Sequence, residues 1–154
     1  MKIQEEYENI KKKYTLPRFE EMNEEFEISS IEVEKVNSLT RAILRVMCNK
    51  MVILLNYIEP VINPSPQNLH GFIEVENTNN DEKKEVFTFY KNLSYKYHKS
   101  SGLELSENEE NVAKEIKEVW KDWKEIKLKF KNISKIINNA WLREKEKDKA
   151  ENVG

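Results

Sequence analysis

Glycine is scarce in this sequence, at three among 154 residues. Few tight turns can be built from so little of it, which favours long helices over many short strands. A single cysteine, Cys48, excludes a disulfide within the chain, and its place in an apolar run reads as a small buried hydrophobe. Of the two histidines, His70 and His98, neither follows a Glu or Asp by three or four residues, so the Glu-x-x-His pair of a di-iron bundle is absent. There is no Gly-rich phosphate loop, no G-x-S-x-G elbow and no H-E-x-x-H pair.

Long apolar runs are also missing. The longest, Met51 to Leu55, is far too short to span a bilayer, and the opening MKIQEEYENIKKKY is too charged for a signal peptide. A cytoplasmic protein with no membrane partner is expected. An excess of one charge is absent too. Lys and Arg number 26 against 28 Asp and Glu, so no global field draws in nucleic acid or anionic lipid, and any such contact must be local.

What is present is charge and helical periodicity, with six Tyr, six Phe and three Trp to fill a core. The fold reads as an all-α helical bundle. Ile3, Tyr7, Ile10 and Tyr14 form one face of a helix over 2–14, and Phe19, Met22 and Phe26 one face of a helix over 17–26. Ser29 and Glu32 have capping-box spacing, with Ile28 and Val33 placed as a hydrophobic staple, which predicts a long helix over 30–59 ended by Pro60. A helix over 82–98, capped by Asn80 or Asp81, should end before a left-handed Gly102.

Ser106 and Glu109 repeat the capping-box spacing and open a last helix over 107–142. Its seam runs from Val112 through Ile116, Val119, Trp123, Ile126, Phe130, Ile133 and Ile137 to Ala140 in steps of four and three. The two long helices are expected to pair antiparallel within one domain over 1–142. The tail 143–154 has no apolar face and is expected to be solvated and frayed.

Residues 60–80 read as a long irregular connector, stiffened by Pro64 and Pro66. Ile73 to Glu76 alternates apolar and acidic residues, which makes it a candidate short strand. Leu69, Phe72, Ile73 and Val75 must bury, on their own bundle or on a partner, and His70 can tune such a contact.

No catalytic residue, metal ligand or cofactor motif can be assigned. Lys50 falls among Ile43, Met47, Leu54 and Tyr57 on the central helix. It either snorkels to meet a glutamate or is a desolvated amine in a pocket with Tyr57, Tyr90 and Tyr97. On the last helix Lys117, Lys121, Lys124, Lys131 and Lys135 form a basic ridge beside Trp120, able to contact phosphates. Glu20, Glu21, Glu24, Glu25, Glu27 and Glu32 form an acidic block that can face this ridge within or between chains.

The functional expectation is a non-catalytic protein–protein interaction or assembly module, with a protein partner that can be a second copy in a homodimer. The alternatives are a nucleic-acid-binding accessory protein using the ridge, and a small-ligand binder or enzyme with a pocket near Lys50.

Overall fold

The computed structural model describes residues 2–153. All regular structure among them is helical: α1 Lys2–Tyr14, α2 Phe19–Phe26, α3 Leu39–Ile62, α4 Leu69–Glu76, α5 Asn80–Glu104 and α6 Glu109–Val153, with two 3₁₀ turns at Ile28–Ser30 and Val33–Lys35. The all-α bundle expected from periodicity is therefore the architecture found.

Side-chain caps decide where α3 to α6 begin, and they shift several expected boundaries. The hydroxyl of Ser38, not Ser29, accepts the Arg41 amide and starts α3. Upstream, Glu27 is left-handed at φ 54° and the chain makes two short turns, which bury Ile28 and Val33 without a continuous helix. Glu32 pairs with Lys35 instead of closing a capping box.

At its other end α3 runs over Pro60 to Ile62, and the carbonyl of Asn56, which proline leaves without a donor, belongs to a solvent-exposed residue. Asn79 and Glu82 form a reciprocal capping box at the start of α5, each side chain accepting the other's amide, at 3.0 and 2.8 Å. That helix continues through Gly102, which does not adopt positive φ.

Asn108 caps α6 through the amides of Glu110 and Asn111. The segment expected to be a frayed tail is helical to Val153, consistent with its Lys, Glu and Ala content and with the Glu144–Lys147 pair one turn apart, and its side chains from Lys145 to Asn152 are exposed.

Two compact units divide the chain. The first takes residues through Val52 together with Tyr95–Lys124, and the second takes Ile53–Ser94 together with residues from Glu125 onward.

In the first unit the core collects Ile3 and Tyr7 of α1, Met22 and Phe26 of α2, Ile43, Leu44, Met47 and Met51 of α3, and Val112, Ile116 and Val119 of α6. The Ser38 hydroxyl donates to the carboxylate of Glu109 at 3.0 Å, so α3 and α6 start side by side. Ser100 meets Glu115 and Lys96 meets Asp122, an order that makes α5 the antiparallel neighbour of α6. The antiparallel role expected of α3 thus belongs to α5, which returns the chain to the end where α3 began before α6 starts.

The polar strip of α3 is structural in this unit. Arg41 donates to the carbonyls of Ser106 and Glu107, fixing the α5–α6 turn, and Arg45 pairs with Glu104 at 2.5 Å. Burial pushes the Cys48 thiol up to about 12, aided by the charges of Glu104 and Glu115, which keeps it protonated and inert.

In the second unit Ile58 and Val61 of α3, Val86, Phe89 and Leu93 of α5, and Ile133, Ile137 and Ala140 of α6 are buried. Phe130 of α6 meets the rings of Tyr57 and Phe89 at 5.5 and 6.2 Å. Helix α4 occupies part of the expected connector. Asn68 caps it, its side chain accepting the Gly71 amide. Residues 72–76 are accordingly helical and not a strand.

Candidate functional site

Helix α4 is amphipathic in the unusual sense. Gly71, Glu74, Asn77 and Thr78 lie at helical spacing on its inner side, where Glu74 is 7% and Asn77 6% exposed. Its outer side carries Leu69 and Phe72, 70% and 48% exposed, with Glu76 one turn on. His70 is exposed, and Ile73 and Val75 are partly exposed. An ordinary surface helix turns its apolar stripe inward. Here polar groups attach the helix and apolar side chains face solvent.

The attachment is specific. Trp141 of α6 donates its indole Nε1–H to Oε1 of Glu74 at 3.0 Å. The Asn77 amide donates to Glu144 at 2.8 Å, and Arg143 donates to the Asn77 carbonyl at 2.6 Å and to Glu82 at 3.0 Å. The His70 ring lies 5.2 Å from that of Trp141. Gly71 allows the closest approach to α3: a Cβ there would sit 2.8 Å from the Pro60 carbonyl oxygen.

The other Glu74 oxygen, Oε2, is buried with no hydrogen-bond partner. Burial pushes the Glu74 carboxyl above its ordinary range, against the indole hydrogen bond and the charge of His70, which pull it down.

The remaining candidates separate between the units. In the first, Lys117, Lys121 and Lys124 are exposed and form no ion pair among the described residues. Trp120 is half-buried with its ring 6.3 Å from Phe26, so it is not a free platform for a base. Four of the six glutamates in the acidic block have other partners: Glu21 meets Arg18, Glu27 meets Lys50, Glu32 meets Lys35, and Glu25 accepts the Trp123 indole at 3.0 Å. The expected pairing of this block with ridge lysines is not found among the described residues, because α2 reaches α6 through Phe26 and Glu25 on the Trp120–Trp123 side.

Lys50, with its side chain 33% exposed, has the Glu27 carboxylate at 3.9 Å. Tyr97 lies in the same unit, its ring against His98 at 5.3 Å. A depression of about 160 Å³ in this unit is lined by Lys13, Thr15, Glu110, Lys114 and Lys117, among others, and by neither Lys50 nor Tyr97. It is smaller than the roughly 300–1,000 Å³ typical of small-molecule sites.

In the second unit Tyr57 is exposed against Phe130, and the Tyr90 hydroxyl donates to Glu59 at 2.5 Å, a hydrogen bond that raises its pKa. Lys131 and Lys135 are exposed without ion-pair partners. Among the described residues no three His, Cys, Asp or Glu side chains converge as a metal site, and no helix is long and apolar enough to cross a membrane.

Sequence reasoning picked out the outer residues of α4 but missed Glu74, Asn77 and Trp141, which hold it. The available signals were Asn68 as a cap and Trp141 one residue beyond the α6 seam. No protein-family model matches the sequence, and comparisons with curated proteins and with solved structures give no match.

Proposed function

We propose that this chain is a non-catalytic protein–protein contact module that self-associates through the outer face of α4. The observation that carries the reading is the inversion of that helix. Leu69 and Phe72 face solvent while Glu74 and Asn77 are buried, an arrangement that gives up apolar burial unless another surface covers it. The second unit exposes further large apolar side chains at Ile53, Tyr57, Phe87, Leu128 and Leu142.

A second copy suits this face on charge. Glu76 beside the apolar pair, and Lys131 and Lys135 on α6, are exposed and unpaired in the same unit. In a two-fold contact each copy supplies both signs, so each such pair can form twice. The net charge of −2 leaves little repulsion between copies. Light scattering across concentration tests the reading. A mass that rises toward twice 18.4 kDa is expected, and a monomer at every concentration would overturn it.

Phosphate contact is a second reading, supported by the unpaired Lys117, Lys121 and Lys124. It requires binding of a single-stranded oligonucleotide at low salt that weakens when these lysines become glutamate. No binding at low salt would remove it.

A further inference from the structure

We infer that Glu74 and Trp141 form a proton-controlled latch on α4: with Glu74 neutral the helix is closed against α6, and with Glu74 ionised it loosens. The consequence for assembly, that proton activity sets how firmly Leu69 and Phe72 are presented to a second copy, rests on the contact reading proposed above.

The geometry carries the argument. An ionised carboxylate needs donors on both oxygens when water is withdrawn. Glu74 has one, the Trp141 indole on Oε1, while Oε2 has almost no contact with solvent and no partner. A proton on Oε2 neutralises the group and leaves Oε1 free to accept the indole N–H, so the closed contact matches the neutral acid. Taking the proton away places a half-solvated charge inside the contact. Opening α4 lets water reach Oε2 and removes that penalty.

The surrounding charges do not supply the missing donor. On α4 itself His70 sits one turn before Glu74, with its ring against Trp141. From α6 come Arg143, engaged with Asn77 and Glu82, and Glu144, which accepts from Asn77. From α5 comes Glu82, held by Arg143. The end of α3 meets α4 at Gly71 through the Pro60 backbone, which carries no charge. Thr78 is occupied too, since its hydroxyl donates to the Glu74 carbonyl.

The direction follows from burial. A carboxyl raised above its ordinary value favours the closed form in acid, and that preference is lost as pH rises through the raised value. Amide exchange over residues 69–76, corrected for intrinsic rates and followed across pH on the full chain, reads the latch. The ¹⁵N-indole resonance of Trp141 is followed in parallel, identified by its loss in Trp141→Phe.

In the wild type, protection of α4 is expected to fall, and the Trp141 resonance to move, with one midpoint above the ordinary carboxylate range. Glu74→Gln keeps an oxygen for the indole but cannot titrate, and is expected to abolish both changes. In Trp141→Phe the protection midpoint is expected to move upward, because the hydrogen bond favouring the anion is gone. Protection that is flat with pH, or that falls equally in Glu74→Gln, would overturn the latch. So would a midpoint that disappears in His70→Ala, which would make the histidine the titrating group.

Light scattering on the same samples separates the two ideas. Titrating protection in a protein that stays monomeric upholds the latch and removes the contact reading. PH-independent protection in a protein that self-associates does the reverse.

Discussion

The indole N–H of Trp141 donates to one oxygen of Glu74 at 3.0 Å across a contact that leaves the second oxygen buried without a partner. Two residues 67 apart in the chain thus fix α4 by a polar contact, while the apolar side of the helix faces outward.

Removing the donor tests how much this contact holds. Trp141→Phe strips Glu74 of its described side-chain partner and should lower stability by about 1–3 kcal/mol, the usual cost of leaving a buried acceptor unpaired. Urea denaturation at pH 7 measures it. A change below a few tenths of a kcal/mol would show that α4 is held by other contacts.

The pH dependence of stability has a definite sign. Burial raises the folded-state value of Glu74, so its contribution is complete below the ordinary carboxylate range and fades as pH rises through the folded value. Glu82 behaves oppositely. Burial pushes it up, but Arg143 and the Asn79 amide outweigh this and hold it low, so its contribution is lost on acidification. The useful quantity is therefore the stability of wild type minus that of Glu74→Gln. This difference should decrease as pH rises, and a difference that does not change with pH contradicts the assignment.

The turn between α1 and α2 offers a paired test. Thr15 is left-handed at φ 57° although its side chain is β-branched, and Leu16 closes the helix end through the Lys11 carbonyl at 3.2 Å. Glycine adopts this conformation without the Cβ clash, so Thr15→Gly should gain up to about 1 kcal/mol. Beside it, the buried Tyr7 hydroxyl donates to the Pro17 carbonyl at 2.6 Å, and Tyr7→Phe should lose about 0.5–1.5 kcal/mol. Denaturant midpoints of the two variants should move in opposite directions.

Two helical glycines should respond differently to alanine. At Gly71 a Cβ would meet the Pro60 carbonyl oxygen at 2.8 Å, a backbone atom that cannot swing aside, so Gly71→Ala should cost about 1–3 kcal/mol. At Gly102 nothing lies within 4 Å, so alanine should stabilise α5 by about 0.5–1 kcal/mol. Thermal denaturation of both variants checks the contrast.

Much of the fold was legible because periodicity reports burial directly. The α6 seam from Val112 to Ala140, the faces of α1 and α2, and the all-α class follow from spacing. Caps were less legible, since several Ser and Asn residues compete near the starts of α3 to α6. Ser29 with Glu32 has the ideal spacing, yet Ser38 is chosen, because the two turns at 28–35 bury Ile28 and Val33 and Ser38 also reaches Glu109.

Helix α4 was the least legible. Its Ile73–Glu76 stretch alternates like a strand and the prolines before it, Pro64 and Pro66, suggest an extended arm, so Asn68 as a cap is the one local signal for a helix. Tertiary contacts from Trp141, Arg143 and Glu144 decide it, and a sequence pattern carries no trace of partners so distant in the chain. The antiparallel role of α5 was hidden for the same reason: a seam reports which face is covered, not the direction of what covers it.

Sedimentation equilibrium of the wild type beside the double variant Leu69→Glu, Phe72→Glu measures self-association through the outer face of α4. Both side chains are exposed, so the substitutions should leave stability within about 0.5 kcal/mol. A wild-type monomer–dimer equilibrium is expected, with a dissociation constant that rises at least tenfold in the variant, about 1.4 kcal/mol or more. Equal dissociation constants for the two proteins would contradict it.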